Sequence, residues 1–289
     1  MGMGLELSAQ VPEARALFAQ ADAQLGFSLS ALCFQGPEDA LTDTVNQQPA
    51  LFVTSLATLK AMELAGWEQP AFAAGHSLGE LTALTAVGSI SFADGLQLVR
   101  TRGELMKQAG EREPGAMAAI LALDIPAVEA VCAEAGKLTN ARLQIANDNC
   151  PGQVVISGDE SALVKAMELA QAAGARKVVK LPITIAAHSA LMHSAAAEFA
   201  KAVADTPITT PQIPVIGNVQ ARPLSTPDEI RTELTAQLTS AVAWTASIHY
   251  LLAQGVTSFV EVGPGDVLLG LVKRIDRKSN RLKFKPDAE

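Results

Sequence analysis

The sequence has few charged and few aromatic side chains, and each shortage narrows the possible functions. Of its 289 residues, 18% are charged and 4% are aromatic, whereas 49% are apolar. Disordered chains combine low hydrophobicity with high charge, so this composition predicts a folded protein. Lys and Arg number 22 against 30 Asp and Glu, a net charge of −8. Because phosphate backbones repel an acidic protein, we expect no binding to nucleic acid.

Cysteines and long apolar runs are scarce as well. Cys33, Cys132 and Cys150 have neither CxxC nor Cys/His ligand spacing, which argues against a disulfide framework and a zinc site. No apolar run reaches the roughly 20 residues that span a bilayer. The start has neither a basic nor a long apolar leader segment. We expect a cytoplasmic protein without a membrane anchor, and the sequence indicates neither a metal nor an organic cofactor.

Helical and extended patterns alternate along most of the chain. Apolar residues spaced by three and four, together with breaks at Gly and Pro, predict helices at 11–25, 47–64, 80–86, 92–108, 189–205, 227–238, 245–253 and after Gly265. Short apolar runs predict strands at 71–74, 214–218 and 258–262. This alternation predicts an α/β fold with a parallel sheet that is covered by helices on both faces.

The middle of the chain has shorter elements. We predict strands at 117–123, 153–157 and 177–181, separated by helices at 127–135 and 160–173. The order strand, helix, strand, helix, strand over about 70 residues is typical of a ferredoxin-like unit. We therefore predict a core made of residues 1–114 and 183–289, and a ferredoxin-like insert made of residues 115–182.

The strongest local motif is Gly75-His76-Ser77-Leu78-Gly79, which lies between a predicted strand and a predicted helix. It matches the G-x-S-x-G turn that presents a nucleophilic serine. Such a tight turn is expected to need glycine on either side of the serine, where side chains would clash. The pattern predicts Ser77 as a nucleophile and the Leu78 N–H as a donor to an oxyanion. A chance Gly-rich turn is the alternative.

A serine nucleophile needs a base, and the chain has four histidines. His76 lies inside the turn, where its ring is poorly placed for the serine proton. His193 and His249 fall within predicted helices. His188 follows an apolar run and precedes a helix, a position where α/β sheets place their sites. It is the best candidate, although a structural histidine remains possible. Asp205 and Asp266 could orient its ring.

Arg102 lies among apolar residues of a predicted helix. A buried arginine needs a fixed anionic partner. That partner could be a substrate carboxylate. The alternative is a salt bridge to Glu80 or Glu104, and spacing alone favours this salt bridge.

Taken together, the motifs resemble those of the bacterial malonyl-CoA:acyl carrier protein transacylase family over essentially the whole chain. They occur in the family's order: Gln48-Pro49-Ala50, 75–80, Arg102-Gly103, 115–119, 149–156, His188 and 261–265. The resemblance implies an α/β-hydrolase-like core with the ferredoxin-like insert. It also implies a ping-pong transfer of malonyl from malonyl-CoA to acyl carrier protein through a malonyl-serine intermediate in fatty acid biosynthesis.

The resemblance also implies roles for individual residues. Ser77 is expected to attack the thioester, with His188 as its general base. Arg102 is expected to bind the free malonyl carboxylate. The main-chain carbonyl of Gln237 matches the group that orients the histidine in the family. We expect the protein to act as a monomer.

The resemblance has one gap, at the N-terminus. Family members have a first strand and a Gly-Gln-Gly-Ser-Gln loop whose last residue supplies a second oxyanion donor. This chain begins with Met1-Gly2-Met3-Gly4, which matches the segment after that loop. The comparison predicts that one strand and one donor are missing, and loss of such a donor typically costs about 10²–10³ in rate.

Three other functions fit part of the pattern. A serine thioesterase shares the Ser77 turn but passes the acyl group to water, and Arg102 argues against it. A polyketide acyltransferase acting in trans shares the mechanism and uses another carrier. A non-catalytic carrier-binding form would follow from the missing strand.

Because carriers are acidic, docking requires local positive charge, and the candidate residues are Arg176, Lys177, Lys180, Lys273, Arg274, Arg277 and Lys278.

Overall fold

The first quarter of the chain is helical. The computed structural model describes residues 1–284. Its first five helices are α1 (Leu5–Gln10), α2 (Pro12–Leu25), α3 (Leu29–Gln35), α4 (Glu38–Thr42) and α5 (Thr44–Leu64). The predicted helices at 11–25 and 47–64 are confirmed as α2 and α5. Helices α3 and α4 were not predicted, because fewer than eight residues give no clear period of 3.6.

A very short strand leads into the predicted turn. Strand β1 (Ala73–Ala74) precedes it, and α6 (Leu78–Ala86) and α7 (Phe92–Arg112) follow. Ser91 caps α7 by accepting a hydrogen bond from the Asp94 N–H. Helix α7 extends four residues past the predicted end at 108.

The insert forms one antiparallel sheet with two helices. Its elements are β2 (Ala116–Leu121), α8 (Ile125–Thr139), β3 (Leu143–Cys150), β4 (Gln153–Gly158), α9 (Glu160–Ala172) and β5 (Lys177–Lys180). The strand order is β3-β4-β2-β5, and every neighbouring pair is antiparallel. The order β-α-β-β-α-β is the ferredoxin-like one. The division of the chain into domains at residues 115 and 182 stays a prediction.

The prediction of three strands in the insert is wrong, because β3 is a fourth. Strand β3 contains the polar run Asn147-Asp148-Asn149 and two irregularities in its pairing with β4. A bulge shifts the alternation of side chains between the two faces, so the period of two on which the prediction depends is lost.

The C-terminal part returns to the core. Its elements are α10 (His193–Asp205), β6 (Val215–Ile216), β7 (Pro223–Leu224), α11 (Pro227–Gln237), α12 (Trp244–Ala253), β8 (Ser258–Glu261), α13 (Val267–Ile275) and β9 (Asn280–Lys283). Strand β1 pairs in parallel with β6, and β8 pairs in parallel with β9, whereas β7 runs antiparallel to β6. The mixed α/β class is confirmed.

Two separate apolar clusters stabilise the core and the insert. The first joins helices from both sides of the insert, with Phe18, Phe52 and Phe199 all at most 1% exposed. The second lies within the insert, where Ile120 and Ile156 of the sheet pack with residues of α8 and α9. In the part of the chain that the structure describes, no helix is both long and apolar enough to cross a membrane.

We expect Gly158→Ala to destabilise the insert. A Cβ at Gly158, the last residue of β4, would lie 2.2 Å from the Arg142 carbonyl oxygen. The backbone must shift to relieve that clash, at a cost of about 1–3 kcal/mol. Gly270→Ala in α13 is the control, since a Cβ there meets nothing within 4 Å. Denaturant unfolding measures both variants, and equal stabilities would contradict the prediction.

Candidate active site

The Gly75–Gly79 turn holds Ser77 in a strained conformation. Ser77 has φ 54° and ψ −112° and immediately precedes α6. A Cβ at Gly75 would lie 1.9 Å from the Gly79 carbonyl oxygen, so only glycine fits there. At Gly79 a Cβ would meet nothing within 4 Å. The expectation that both glycines are sterically required is therefore wrong for Gly79, because its Cα faces open space.

Asn218, which follows β6, bridges this turn. Its Oδ1 accepts a hydrogen bond from the Ser77 N–H at 2.6 Å, and its Nδ2 donates to the Gly75 carbonyl at 2.7 Å. These bonds offset part of the cost of the unusual backbone at Ser77. Leu78 begins α6, so its N–H has no acceptor within the helix. The N-terminal end of α6 is a favourable place for negative charge.

His188 contacts Ser77 directly. Its Nε2 lies 2.8 Å from Ser77 Oγ, and its Nδ1 lies 2.9 Å from the Gln237 carbonyl and 3.2 Å from the Ser240 carbonyl. Carbonyl oxygens only accept hydrogen bonds, so Nδ1 carries the ring proton. Nε2 is then free to accept the proton of the Ser77 hydroxyl. Carbonyls orient the ring, and neither Asp205 nor Asp266, the two acids suggested by the sequence, forms a hydrogen bond with it.

The surroundings of His188 keep its ring neutral. Burial, together with the nearby Arg102 guanidinium, lowers the pKa of His188 to about 3. An imidazole that is neutral at physiological pH can act as a base. His76 is half-buried, and its Nε2 lies 2.8 Å from Asn149 Oδ1 of the insert. His193 begins α10, and His249 is exposed on α12.

Arg102 is fully buried on α7, 2% exposed, and is held by amide oxygens. It donates to Gln48 Oε1 at 2.7 Å, to Gln237 Oε1 at 2.9 Å and to Ser77 Oγ at 3.1 Å. Burial lowers the pKa of Arg102 to about 10, so the guanidinium is charged at neutral pH.

The expected salt bridge from Arg102 to Glu80 or Glu104 is wrong. The Glu104 carboxylate binds Arg100 instead, at 2.6 Å, because the two lie one turn apart on the exposed side of α7. Glu80 is linked to Arg102 only through the side chain of Gln237. The guanidinium charge beside Ser77 is therefore available to a bound anion.

The insert contributes one side chain that sequence reasoning missed. Gln144 of β3 donates hydrogen bonds to the His188 and Thr239 carbonyls, both at 3.1 Å, and accepts one from the Ala190 N–H at 3.2 Å. It holds the backbone of His188, which has φ 57°. Because β3 itself was not predicted, no sequence signal indicated Gln144. Asn218 was missed too, although a polar residue after an apolar strand is a usable signal.

The seven basic residues suggested for carrier docking are all exposed. Three lie at β5 and four at the end of α13 and the turn after it: Arg176, Lys177, Lys180, Lys273, Arg274, Arg277 and Lys278. Lys180 pairs with Glu160, and Arg274 donates to Gln153 Oε1 at 2.5 Å. No group of three potential metal ligands occurs among residues 1–284.

Comparison with known proteins gives consistent results. Residues 1–283 match the family described as acyl transferase domain. The chain is 44% identical over 278 residues to the malonyl CoA-acyl carrier protein transacylase of Bacillus subtilis, covering 96% of this chain and 87% of that protein.

Solved structures agree with this match. The structure of the malonyl CoA-acyl carrier protein transacylase from Coxiella burnetii has a TM-score of 0.95 at 37% identity, covering 98% of this chain and 89% of that one. A malonyl-transacylase in complex with its type II PKS acyl-carrier protein also has a TM-score of 0.95 at 37% identity, covering 98% and 91%.

We expect the buried neutral His188 to make folding sensitive to acid. Its pKa in the folded protein lies below that of the unfolded chain, so the unfolded state binds the extra proton as the pH falls below about 6.5. Between about pH 7.5 and about pH 5 the wild type should lose about 2 kcal/mol more unfolding free energy than His188→Asn. Asn tolerates the positive φ, and His76 is present in both proteins. Urea unfolding at both pH values measures the difference, and parallel losses would refute the prediction.

Proposed function

We propose, from the premise that this chain belongs to the acyl transferase domain family, that it transfers a malonyl group from malonyl-CoA to the phosphopantetheine thiol of acyl carrier protein. One observation carries the proposal. Ser77 Oγ lies 2.8 Å from His188 Nε2 on one side and 3.1 Å from an Arg102 nitrogen on the other. A nucleophile, a base and a fixed positive charge therefore meet at one atom.

The first half-reaction forms an ester on Ser77. Ser77 Oγ attacks the thioester carbonyl carbon while His188 Nε2 takes the hydroxyl proton. The negative oxygen of the tetrahedral intermediate is stabilised by the Leu78 N–H and the N-terminal end of α6. The carbon–sulfur bond then breaks, and the coenzyme A sulfur leaves with the proton from His188. The product is malonyl-Ser77 and free coenzyme A.

The second half-reaction is the reverse with a different thiol. The phosphopantetheine sulfur of the carrier attacks the ester carbonyl after giving its proton to His188. Ser77 Oγ leaves and recovers that proton, which regenerates the free enzyme. The carbonyls of Gln237 and Ser240 keep one proton on Nδ1 throughout, so only Nε2 gains and loses a proton and one histidine serves both halves.

Arg102 selects the acyl group. The free carboxylate of malonyl accepts hydrogen bonds from the guanidinium, which otherwise has only neutral partners. A neutral acyl group leaves that buried charge without an anion, which is costly. The buried charge therefore favours a dicarboxylic acyl donor and disfavours a general serine thioesterase.

The proposed function also includes an oligomeric state, a cellular compartment and a docking surface for the carrier. Ser77, His188 and Arg102 meet without a residue from a second copy, and we propose that the protein acts as a monomer. Cys33, Cys132 and Cys150 are buried free thiols, which suits the reducing cytoplasm. The exposed basic residues of β5 and of the end of α13 are the surfaces that an acidic carrier would contact.

The decisive experiment is intact-protein mass after brief incubation with malonyl-CoA. We expect a malonyl adduct on the wild type and none on Ser77→Ala, because the ester forms on Oγ. Addition of acyl carrier protein from fatty acid or polyketide synthesis should discharge the adduct, and the faster carrier indicates the pathway. Turnover that is faster without a carrier than with one would indicate a thioesterase instead. A folded wild type that forms no adduct would refute the proposed function.

We expect Arg102→Ala to lose the preference for malonyl. The kcat/KM for malonyl-CoA should fall about 100-fold or more, as expected when one partner of a buried ion pair is removed. The rate with acetyl-CoA should rise relative to malonyl-CoA. Arg112→Ala is the control, because it removes an exposed arginine from the same helix. Unchanged selectivity in a competition between the two donors would contradict the role of Arg102.

A further inference from the structure

Two buried carboxyl groups lie near the candidate active site and take no part in the proposed chemistry. Glu80 of α6 is fully buried and Glu233 of α11 is 4% exposed. Among residues 1–284, neither is within salt-bridge distance of a Lys or Arg. Burial raises the pKa of Glu80 well above its usual range, and the neighbouring Glu233 carboxyl raises it further. The two carboxyl groups are close neighbours, and we call them the carboxyl pair.

Glu80 accepts one hydrogen bond on each oxygen. Oε1 accepts the Asn218 N–H at 2.7 Å, and Oε2 accepts Gln237 Nε2 at 2.5 Å. Glu233 differs, since its Oε1 accepts the Val219 N–H at 2.6 Å and, among residues 1–284, no hydrogen bond joins it to Gln237. Glu80 is therefore the member of the carboxyl pair that connects to the site.

The side chain of Gln237 has only one orientation that satisfies its neighbours. Arg102 can only donate, so the oxygen that faces it must be Oε1. The Ser77 carbonyl and Glu80 Oε2 accept, so the amide nitrogen faces them. A reversed amide would place its N–H groups against the guanidinium.

We propose that Glu80 is a positioning residue for acyl selection: by holding Nε2 of Gln237, it keeps Oε1 of that amide on Arg102 and so aims the guanidinium at the acyl carboxylate. This inference rests on the proposed function of Arg102. It assigns Glu80 an effect on substrate choice although Glu80 is separated from the acyl group by two side chains.

Glutamate is required at position 80 because both oxygens must accept. A glutamine there offers one acceptor and one donor, so a donor must face either Gln237 Nε2 or the Asn218 N–H. At position 233 the same change is tolerated. A glutamine there accepts the Val219 N–H with its oxygen and donates to Glu80 with its nitrogen, so Glu80 can keep accepting from Gln237.

The test compares Glu80→Gln with Glu233→Gln, an identical chemical change at the two members of the carboxyl pair. Initial rates of adduct formation on Ser77 are measured with malonyl-CoA and with acetyl-CoA. We expect the ratio of the malonyl rate to the acetyl rate to fall about tenfold in Glu80→Gln. This is the effect expected when a hydrogen bond to a charged group is lost, here the bond between Gln237 and Arg102. In Glu233→Gln the ratio should stay within about twofold of the wild type. Circular dichroism shows whether each variant is folded.

Several outcomes would overturn the inference. In Glu80→Gln, an equal loss of rate with malonyl-CoA and with acetyl-CoA would show that Glu80 acts through Asn218 and the Ser77 turn. If the malonyl-to-acetyl ratio falls equally in Glu233→Gln, the change in acyl selection comes from the charge of the carboxyl pair and not from Glu80 alone. If Glu80→Gln does not fold, Gln237→Met removes the amide and retains the volume, and a wild-type ratio in that variant refutes the inference. A wild type without any malonyl adduct refutes the proposed function instead.

Discussion

The buried guanidinium of Arg102 is the constraint around which the site is arranged. A positive charge in the interior needs compensation, and here neutral amide oxygens of Gln48 and Gln237 supply it. The amide nitrogen of Gln237 donates to Glu80 and to the Ser77 carbonyl, whereas the amide nitrogen of Gln48 donates to Thr44 Oγ1. The same charge also favours the neutral form of His188. The charge to which we assign acyl selection thus adds to burial, the larger cause, in keeping His188 neutral.

The candidate site contains contacts between the core and the insert. Strand β3 supplies Gln144 to the His188 backbone and Asn149 to the ring of His76. Its backbone also bonds to Val242, in the segment that follows the Ser240 carbonyl. A change in the position of β3 would therefore reach His188 through Gln144 and through the pairing with Val242, and would reach the Ser77 turn through Asn149 and His76.

The sequence allowed prediction of the parts that depend on local pattern. Helices α2 and α7 have apolar faces, α5 is a long and mostly apolar segment, and the turn at Ser77 has a motif that constrains the backbone. Strand β3 was not predicted because its polar residues contact the core, and such contacts leave no pattern in the local sequence. The partners of Arg102 escaped for the same reason, since Gln48 and Gln237 lie far from it in the chain. Spacing on a helix suggested Glu104, but α7 turns that residue toward solvent and Arg100.

The parallel pairing of β1 with β6 determines the order in which the molecule can form during synthesis. Ala73 pairs with Val215, and the whole insert lies between them. The insert has a contiguous sheet and its own apolar cluster, so its contacts are available as soon as β5 has left the ribosome. Helices α2, α5 and α7 can pack on one another before the insert is made, but the sheet of the core and the side of α7 that contacts α10 must wait for α10 and β6. That side of α7 is consequently exposed in the nascent chain while the insert is synthesised.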